Sequence, residues 1–428
     1  MQKYVLSELD SGARVISERI THVRSAAIGF WIGAGSRDER DTKAGISHFM
    51  EHLLFKGSRS YTAQEIAEIF DSLGGELNAA TSREHTVVYA RVADQHLETA
   101  VDVMTDMVFA PVFAELDAER EVVLEEIAMY EDTPQDLVHD LVSQAVFGPH
   151  ALGRPVIGSA DTVSALTKPS LAAFHRAVYV PGNIVVAAAG KLDHDRLTEL
   201  LQQAAAKRPD APARKQLRTP LVKVPAPGVR FQRKDTEQYH VCLAAPGIAR
   251  SDRRRFAASL LDAILGGSAS SRLFQEIREK RGMAYAVYTF ASQYTDSGQI
   301  GVYVGTREEN LAACLEIVAA EIADIAAGNL REAELDRAKE NLKGRMMLAM
   351  ESTSNRMSRL GKSVITDTAL LSLDRLGAEI DAVGPEALAE LAGVLLASER
   401  LSAAGIGPSE KRFGTAVERV NPALALAA

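Results

Sequence analysis

The sequence predicts an α+β protein made of two related halves, each an α/β sandwich, joined by a proline-rich linker. Three observations lead there. Strand-type and helix-type periodicities mix within each half, prolines cluster near the midpoint, and short signatures recur in the same order about 210 residues apart.

In the first half, Ser25 to Ile32 and His85 to Val92 are rich in β-branched and aromatic residues and read as strands. Ala44 to Phe55, Ala63 to Leu73, Asp94 to Phe109 and Glu115 to Tyr130 carry apolar residues at helical spacing. In the second half, Tyr239 to Ala244 and Gln299 to Val304 read as strands, and Arg253 to Leu265 and Ala333 to Met350 as helices. Between Pro209 and Pro227 lie five of the fifteen prolines (Pro209, Pro212, Pro220, Pro225 and Pro227), with Lys207, Arg208, Arg214, Lys215 and Arg218 interspersed. Repeated Pro fixes φ and removes backbone donors, so this stretch is expected to run extended along a surface. The expected division is an N-terminal domain over 1–208, a linker over 209–227 and a C-terminal domain over 228–428. The signatures that relate the halves are Leu53-Leu54-Phe55-Lys56-Gly57-Ser58 against Ala263-Ile264-Leu265-Gly266-Gly267-Ser268, and Ala114-Glu115-Leu116-Asp117 against Ala333-Glu334-Leu335-Asp336. The offset drifts from 210 to 219, so loop lengths differ between the copies.

Composition narrows the function. Lys plus Arg total 48 against 57 Asp plus Glu, a net charge of -9, which argues against a phosphate-backbone binder with a basic face. No apolar run approaches the roughly 18 residues of a membrane span. Met1 to Asp10 lacks a basic stretch followed by an apolar one, so a cytoplasmic location is the expectation. The two cysteines, Cys242 and Cys314, sit in apolar surroundings and read as buried reduced thiols.

Residues 48 to 52 read His48-Phe49-Met50-Glu51-His52, inside a stretch expected to be helical. Two His four apart project from one helix face, the spacing that a single metal ion bridges, and Glu51 edges that face. The order His-x-x-Glu-His inverts the common zincin helix. A catalytic zinc usually takes a third protein ligand and keeps a position open for water. Its best source is Glu115 to Tyr130, where Glu119 and Glu126 stand seven apart, two turns along one face. By periodicity Glu125 is nearly as plausible, and spacing leaves the choice open.

His48-x-x-Glu51-His52, followed about 70 residues later by Glu119-Arg120-x-x-Val123-x-x-Glu126, resembles the pitrilysin family of zinc metallopeptidases. The resemblance implies that Glu126 is the third zinc ligand, Glu119 the carboxylate that orients the site, and Glu51 the general base. Gly74 to Thr86 looks like the family's edge-strand segment, which implies that the backbone around Asn78, Ala79 and Ala80 adds the substrate peptide to a sheet. Unaided, Asn78 and the glycines before it read as a turn preceding a strand. Arg278-Glu279-Lys280-Arg281-Gly282-Met283-Ala284-Tyr285 matches the family's Arg-x6-Tyr pair, implying that Arg278 and Tyr285 bind the substrate backbone and support the developing oxyanion. By composition alone, Arg278 belongs to a charged helix and Tyr285 to a strand.

A chain of this length resembles the two-domain, processing-peptidase-like branch, in which two chains close as a clamshell and each contributes half of every site. Because this sequence carries both the zinc set and the Arg-Tyr pair, the resemblance implies a homodimer with composite sites, one Zn²⁺ per chain, acting as an endopeptidase on extended peptides or unfolded segments. A subunit active only with an unlike partner, or a noncatalytic core-type subunit, is the alternative. No glycine-rich loop like that of the noncatalytic processing-peptidase subunit is present, since Gly266-Gly267-Ser268 is too short. Gly33-Ala34-Gly35 follows a strand, but Asp38 at the third glycine position would repel a pyrophosphate. No Gly-x-Ser-x-Gly or Cys-x-x-Cys offers a rival chemistry, and neither nucleic acid nor membrane is an expected partner.

Overall fold

The computed structural model describes residues 4–206 and 218–425. Residues 207–217, with Pro209 and Pro212 of the expected linker, lie outside the described residues. The chain forms two compact units, and each is assembled from separate segments. One comprises Met1–Ala128, Pro155–Thr219 and Met347–Ser372; the other comprises Met129–Arg154, Pro220–Met346 and Leu373–Ala428. The sequence reading places contiguous domains on either side of a linker; in the structure each unit also takes in one segment from the other half of the sequence.

The first half runs β1 (Tyr4–Glu8), β2 (Arg14–Arg19), β3 (Ser25–Ile32), α1 (Ile46–Leu54), α2 (Ala63–Ser72), β4 (Glu76–Thr81) and β5 (Thr86–Ala93). It continues through α3 (Leu97–Phe109), α4 (Leu116–Glu131), α5 (Pro134–Phe147), α6 (Ala160–Ser164), α7 (Lys168–Val178), β6 (Ile184–Gly190) and α8 (His194–Ala206). The second half runs β7 (Val229–Arg233), β8 (Tyr239–Gly247), α9 (Arg255–Leu265), β9 (Ala284–Gln293), β10 (Gly298–Thr306) and α10 (Leu311–Ala326). It ends with α11 (Glu332–Ala349), α12 (Thr353–Ile365), α13 (Leu373–Asp381), α14 (Pro385–Leu395), β11 (Ser402–Gly407) and α15 (Glu410–Glu418).

The two sheets repeat one another. The first has the order β1-β2-β6-β3-β5-β4 and the second β7-β11-β8-β10-β9. In the first, β2 and β6 are parallel and the other pairs antiparallel. In the second, β7 and β11 are the matching parallel pair. Among the described residues, β1 alone has no counterpart. A shared mixed-sheet topology is what a duplicated α+β unit requires, and it places β4 and β9 at equivalent edges.

Both faces of each sheet are covered, so the central strands are apolar throughout, with β3 and β6 almost wholly buried. In the first unit one face packs on Phe49, Met50, Leu53 and Leu54 of α1 and on α3. The other face, with Ile16, Trp31, Val87 and Val185, packs on Met357 and Leu360 of α12. Gly361 is required there: a Cβ at that position would stand 2.1 Å from the Trp31 indole nitrogen. In the second unit α9 and α10 cover one face, and Val138, Val142 and Val146 of α5 cover the other beside Cys242, Tyr303 and Ile406. Cys242 and Cys314 are buried free thiols. No helix among the described residues is long and apolar enough to cross a membrane.

Candidate metal centre

The helix α1 follows a loop that prepares its first turn. Gly45 precedes it with φ 88°, a left-handed conformation that suits glycine. The buried Glu39 carboxylate accepts from the Gly45 N–H at 2.8 Å and from the Ser47 N–H at 2.7 Å. An acid on the open N–H groups of a helix start is the favourable arrangement for the helix dipole. Phe49, Met50, Leu53 and Leu54 anchor α1 in the core, which turns His48, His52 and Glu51 to the opposite side.

There the Nε2 atoms of His48 and His52 face the carboxylate of Glu126 on α4, at 3.6 and 3.3 Å. One ligand atom from each of the three residues lies within 4.8 Å of the others. The structure brings Glu126 to the two imidazoles, whereas Glu125 is exposed. Glu119 is buried and accepts from His52 Nδ1 at 2.9 Å. A carboxylate can only accept, so this contact places the ring proton on Nδ1 and leaves the Nε2 lone pair aimed at Glu126. The three side chains converge closely enough that one metal ion could take a ligand atom from each. The donor set, two His and one Glu with a carboxylate-oriented imidazole, fits Zn²⁺. The contact with His48 holds the Glu126 carboxyl below the ordinary carboxylate range, and partial burial works the other way.

Two residues here were not singled out from the sequence. Lys56 reaches the second oxygen of Glu119 at 2.7 Å, so that carboxylate is held from both sides. Lys56 stands four residues after His52, just past the end of α1. Thr81, the last residue of β4, donates to Glu51 Oε2 at 2.5 Å. Beside them the Tyr179 hydroxyl is buried without a hydrogen-bond partner, and burial together with the Glu51 charge pushes the phenol well above its ordinary range.

The remaining expected residues fall into two places. Asn78, Ala79 and Ala80 lie on β4, which among the described residues pairs only with β5 and has no strand on its outer edge. The Asn78 side-chain carbonyl accepts the Ala79 N–H at 2.8 Å. Beside β4 is a cleft of about 550 Å³ lined by Phe55, Ile66, Phe70 and Leu77, with Asp71 and Glu76 among its polar residues. Arg278 and Tyr285 belong to the second unit. Arg278 lies in a π-helical turn, Phe274–Glu279, rather than an ordinary α-helix, and its guanidinium sits 4.7 Å over the Phe274 ring and 4.8 Å over that of Tyr285. The Tyr285 side chain is itself 77% exposed, so the two form a presented cation–phenol pair. With Leu53–Ser58 aligned on Ala263–Ser268, Ala258, Leu261 and Asp262 stand where the first half has His48, Glu51 and His52; the second unit keeps the fold and lacks the ligands.

Comparison with known proteins agrees with that asymmetry. Residues 14–160 match the family described as Insulinase (Peptidase family M16), and residues 165–342 match the Peptidase M16 inactive domain. The chain belongs to peptidase family M16. It is 43% identical over 413 residues to an uncharacterized zinc protease of Streptomyces coelicolor, covering 94% of this chain and 88% of that one. It is 40% identical over 402 residues to the uncharacterized zinc protease YmxG of Bacillus subtilis, covering 93% and 97%. Among solved structures, a Helicobacter pylori protease superposes with a TM-score of 0.89 at 22% identity, covering 95% of this chain and all (100%) of that one. A Pseudomonas fluorescens protein described as a peptidase M16 inactive domain superposes with a TM-score of 0.86 at 23% identity, covering 95% and 98%. These two likenesses show that the M16 fold is shared.

Proposed function

We propose that this M16 chain is a zinc-dependent endopeptidase that cuts extended peptides or unfolded segments. The observation that carries the reading is the convergence of His48, His52 and Glu126, with Glu51 on the same face of α1 and Glu119 fixing the His52 tautomer. His48, His52 and Glu126 hold one Zn²⁺ per chain, which supplies Lewis acidity, polarising the scissile carbonyl and lowering the pKa of a water towards about 7. Glu51 takes the proton of the attacking water and hands it to the leaving amine. The free edge of β4 receives the peptide as an added strand, with Asn78, Ala79 and Ala80 aligning its backbone. The neighbouring cleft, walled by Phe55, Ile66, Phe70 and Leu77, suits a bulky apolar side chain of that peptide.

Arg278 and Tyr285 complete the site from a second copy of the chain, whose own zinc set is completed in return. Their presented geometry and the presence of both sets in one sequence support a homodimer over a pairing with an unlike subunit. Mixing Glu51→Gln with Arg278→Ala, each inactive alone, should then restore roughly a quarter of wild-type activity, because one of the two sites in each mixed dimer is intact. No recovery after mixing would count against composite sites.

The reading is tested by zinc content and cleavage of a quenched unstructured peptide, comparing wild type with Glu51→Gln. The variant is expected to keep its zinc and lose about 10²- to 10⁴-fold in kcat, the usual span for a general base. Equal turnover by both proteins, or a wild type that holds zinc and cuts nothing alone or mixed with lysate, would remove the proposal.

A further inference from the structure

We propose that Thr81 is the positioning residue that fixes the orientation of Glu51, a role that rests on the peptidase reading above. Glu51 has three side-chain torsions and is only half-buried, so nothing in its own helix selects one orientation of the carboxylate. The Thr81 hydroxyl does: it donates to Oε2 at 2.5 Å, tying α1 to the end of β4.

The direction of that bond is set by its neighbours. Thr86, opposite Thr81 in the β4–β5 register, donates its single hydroxyl proton to the Ala34 carbonyl at 3.1 Å. The two threonine oxygens are 3.4 Å apart. Thr86 has no proton left to offer, and a carboxylate oxygen has none, so the Thr81 proton goes to Glu51. A β-branched side chain on a paired strand is stiff about χ1, which makes it a firmer anchor than a longer donor.

With Oε2 held, Oε1 is the oxygen left to accept a proton from water. The holding group sits on the same strand whose edge, Asn78 to Ala80, is proposed to receive the peptide. One rigid element thus sets both the substrate backbone and the base, and their relative placement does not depend on a flexible loop. Losing about an ångström of such placement costs up to roughly 100-fold in rate.

The test uses the full-length zinc-loaded protein and compares wild type, Thr81→Val, Thr81→Ala and Thr81→Ser for kcat, KM, zinc content and thermal midpoint. Valine keeps the shape and removes the hydroxyl; alanine is a second hydroxyl-free variant should valine pack badly; serine restores the donor. The expected result is a loss of about 10- to 100-fold in kcat for Val and Ala, with KM and zinc content unchanged, and recovery of most of it in Ser. The role is overturned if Val and Ala turn over like wild type, if their loss appears in KM or in zinc content instead, or if Ser is no better than Val. A wild type without activity overturns the peptidase reading and this role with it, whereas an active wild type matched by Thr81→Val overturns the role alone.

Discussion

Glu126→Ala is expected to yield a folded chain that retains no stoichiometric zinc after dialysis and cuts no peptide. Among the described residues the carboxylate is the acidic group that faces the two Nε2 atoms, at 3.6 and 3.3 Å, and two imidazoles alone leave a catalytic site one ligand short. It is partly exposed, so its removal leaves no buried charge and the fold should survive. Glu119→Ala gives the contrast. That residue touches the site only through the far nitrogen of His52, and its loss should weaken zinc binding by about 10- to 100-fold without abolishing it. Glu125→Ala, one residue from the ligand, should behave as wild type. Competition with a chelator ranks the three, and a Glu126→Ala protein that holds zinc as tightly as wild type would show that the ligand set is wrong.

Glu84→Ala should be among the most destabilising substitutions in the chain, by about 3–5 kcal/mol in urea unfolding. Arg37 and Glu84 pair at 2.8 Å with both side chains essentially out of water. Arg218 joins them, 2.9 Å from Asp38 and donating to the Glu84 carbonyl at 2.8 Å. Removing Glu84 takes the carboxylate away from a buried guanidinium that burial cannot neutralise, because arginine does not give up its proton. Replacing both members, Arg37→Met with Glu84→Leu, should recover most of the loss, since the buried pair is then removed as a unit. A single substitution costing under about 1 kcal/mol would mean that the pair is better hydrated than its burial indicates. Arg37 and Asp38 immediately precede Glu39, the acid on the first turn of α1, so the loss is expected to extend to the candidate metal centre.

The parts of this molecule that were legible in the sequence are those whose logic is local. The His48–His52 spacing is a property of one helix, and it marks the centre without any partner. The duplication was visible as an ordered series of weak matches, and the two sheets repeat the same strand order. What local pattern leaves open is which group on a second element meets the first. Glu125 and Glu126 differ by only 100° around α4, so choosing between them needs α1 in place. Thr81 is separated from Glu51 by the helix α2 and the length of β4, and nothing in its neighbourhood distinguishes it from a solvated threonine. The interleaving of the units is hidden for the same reason: Val138, Val142 and Val146 show that α5 has an apolar face but not which sheet it covers. Arg218 reads as one of several linker cations, yet it is bound to Asp38 and Glu84.

That interleaving bears on how the protein is made. The last strand of the first sheet ends at Gly190, and the helix that covers its outer face begins at Thr353. Roughly 170 residues must be synthesised in between, about 10–30 s at translation rates of 5–20 residues per second. Throughout that interval Ile16, Trp31, Val87 and Val185 remain uncovered on the nascent chain. The first unit therefore cannot finish folding at the ribosome as an autonomous domain; it waits, with an apolar sheet face open to chaperones, until α12 has been made.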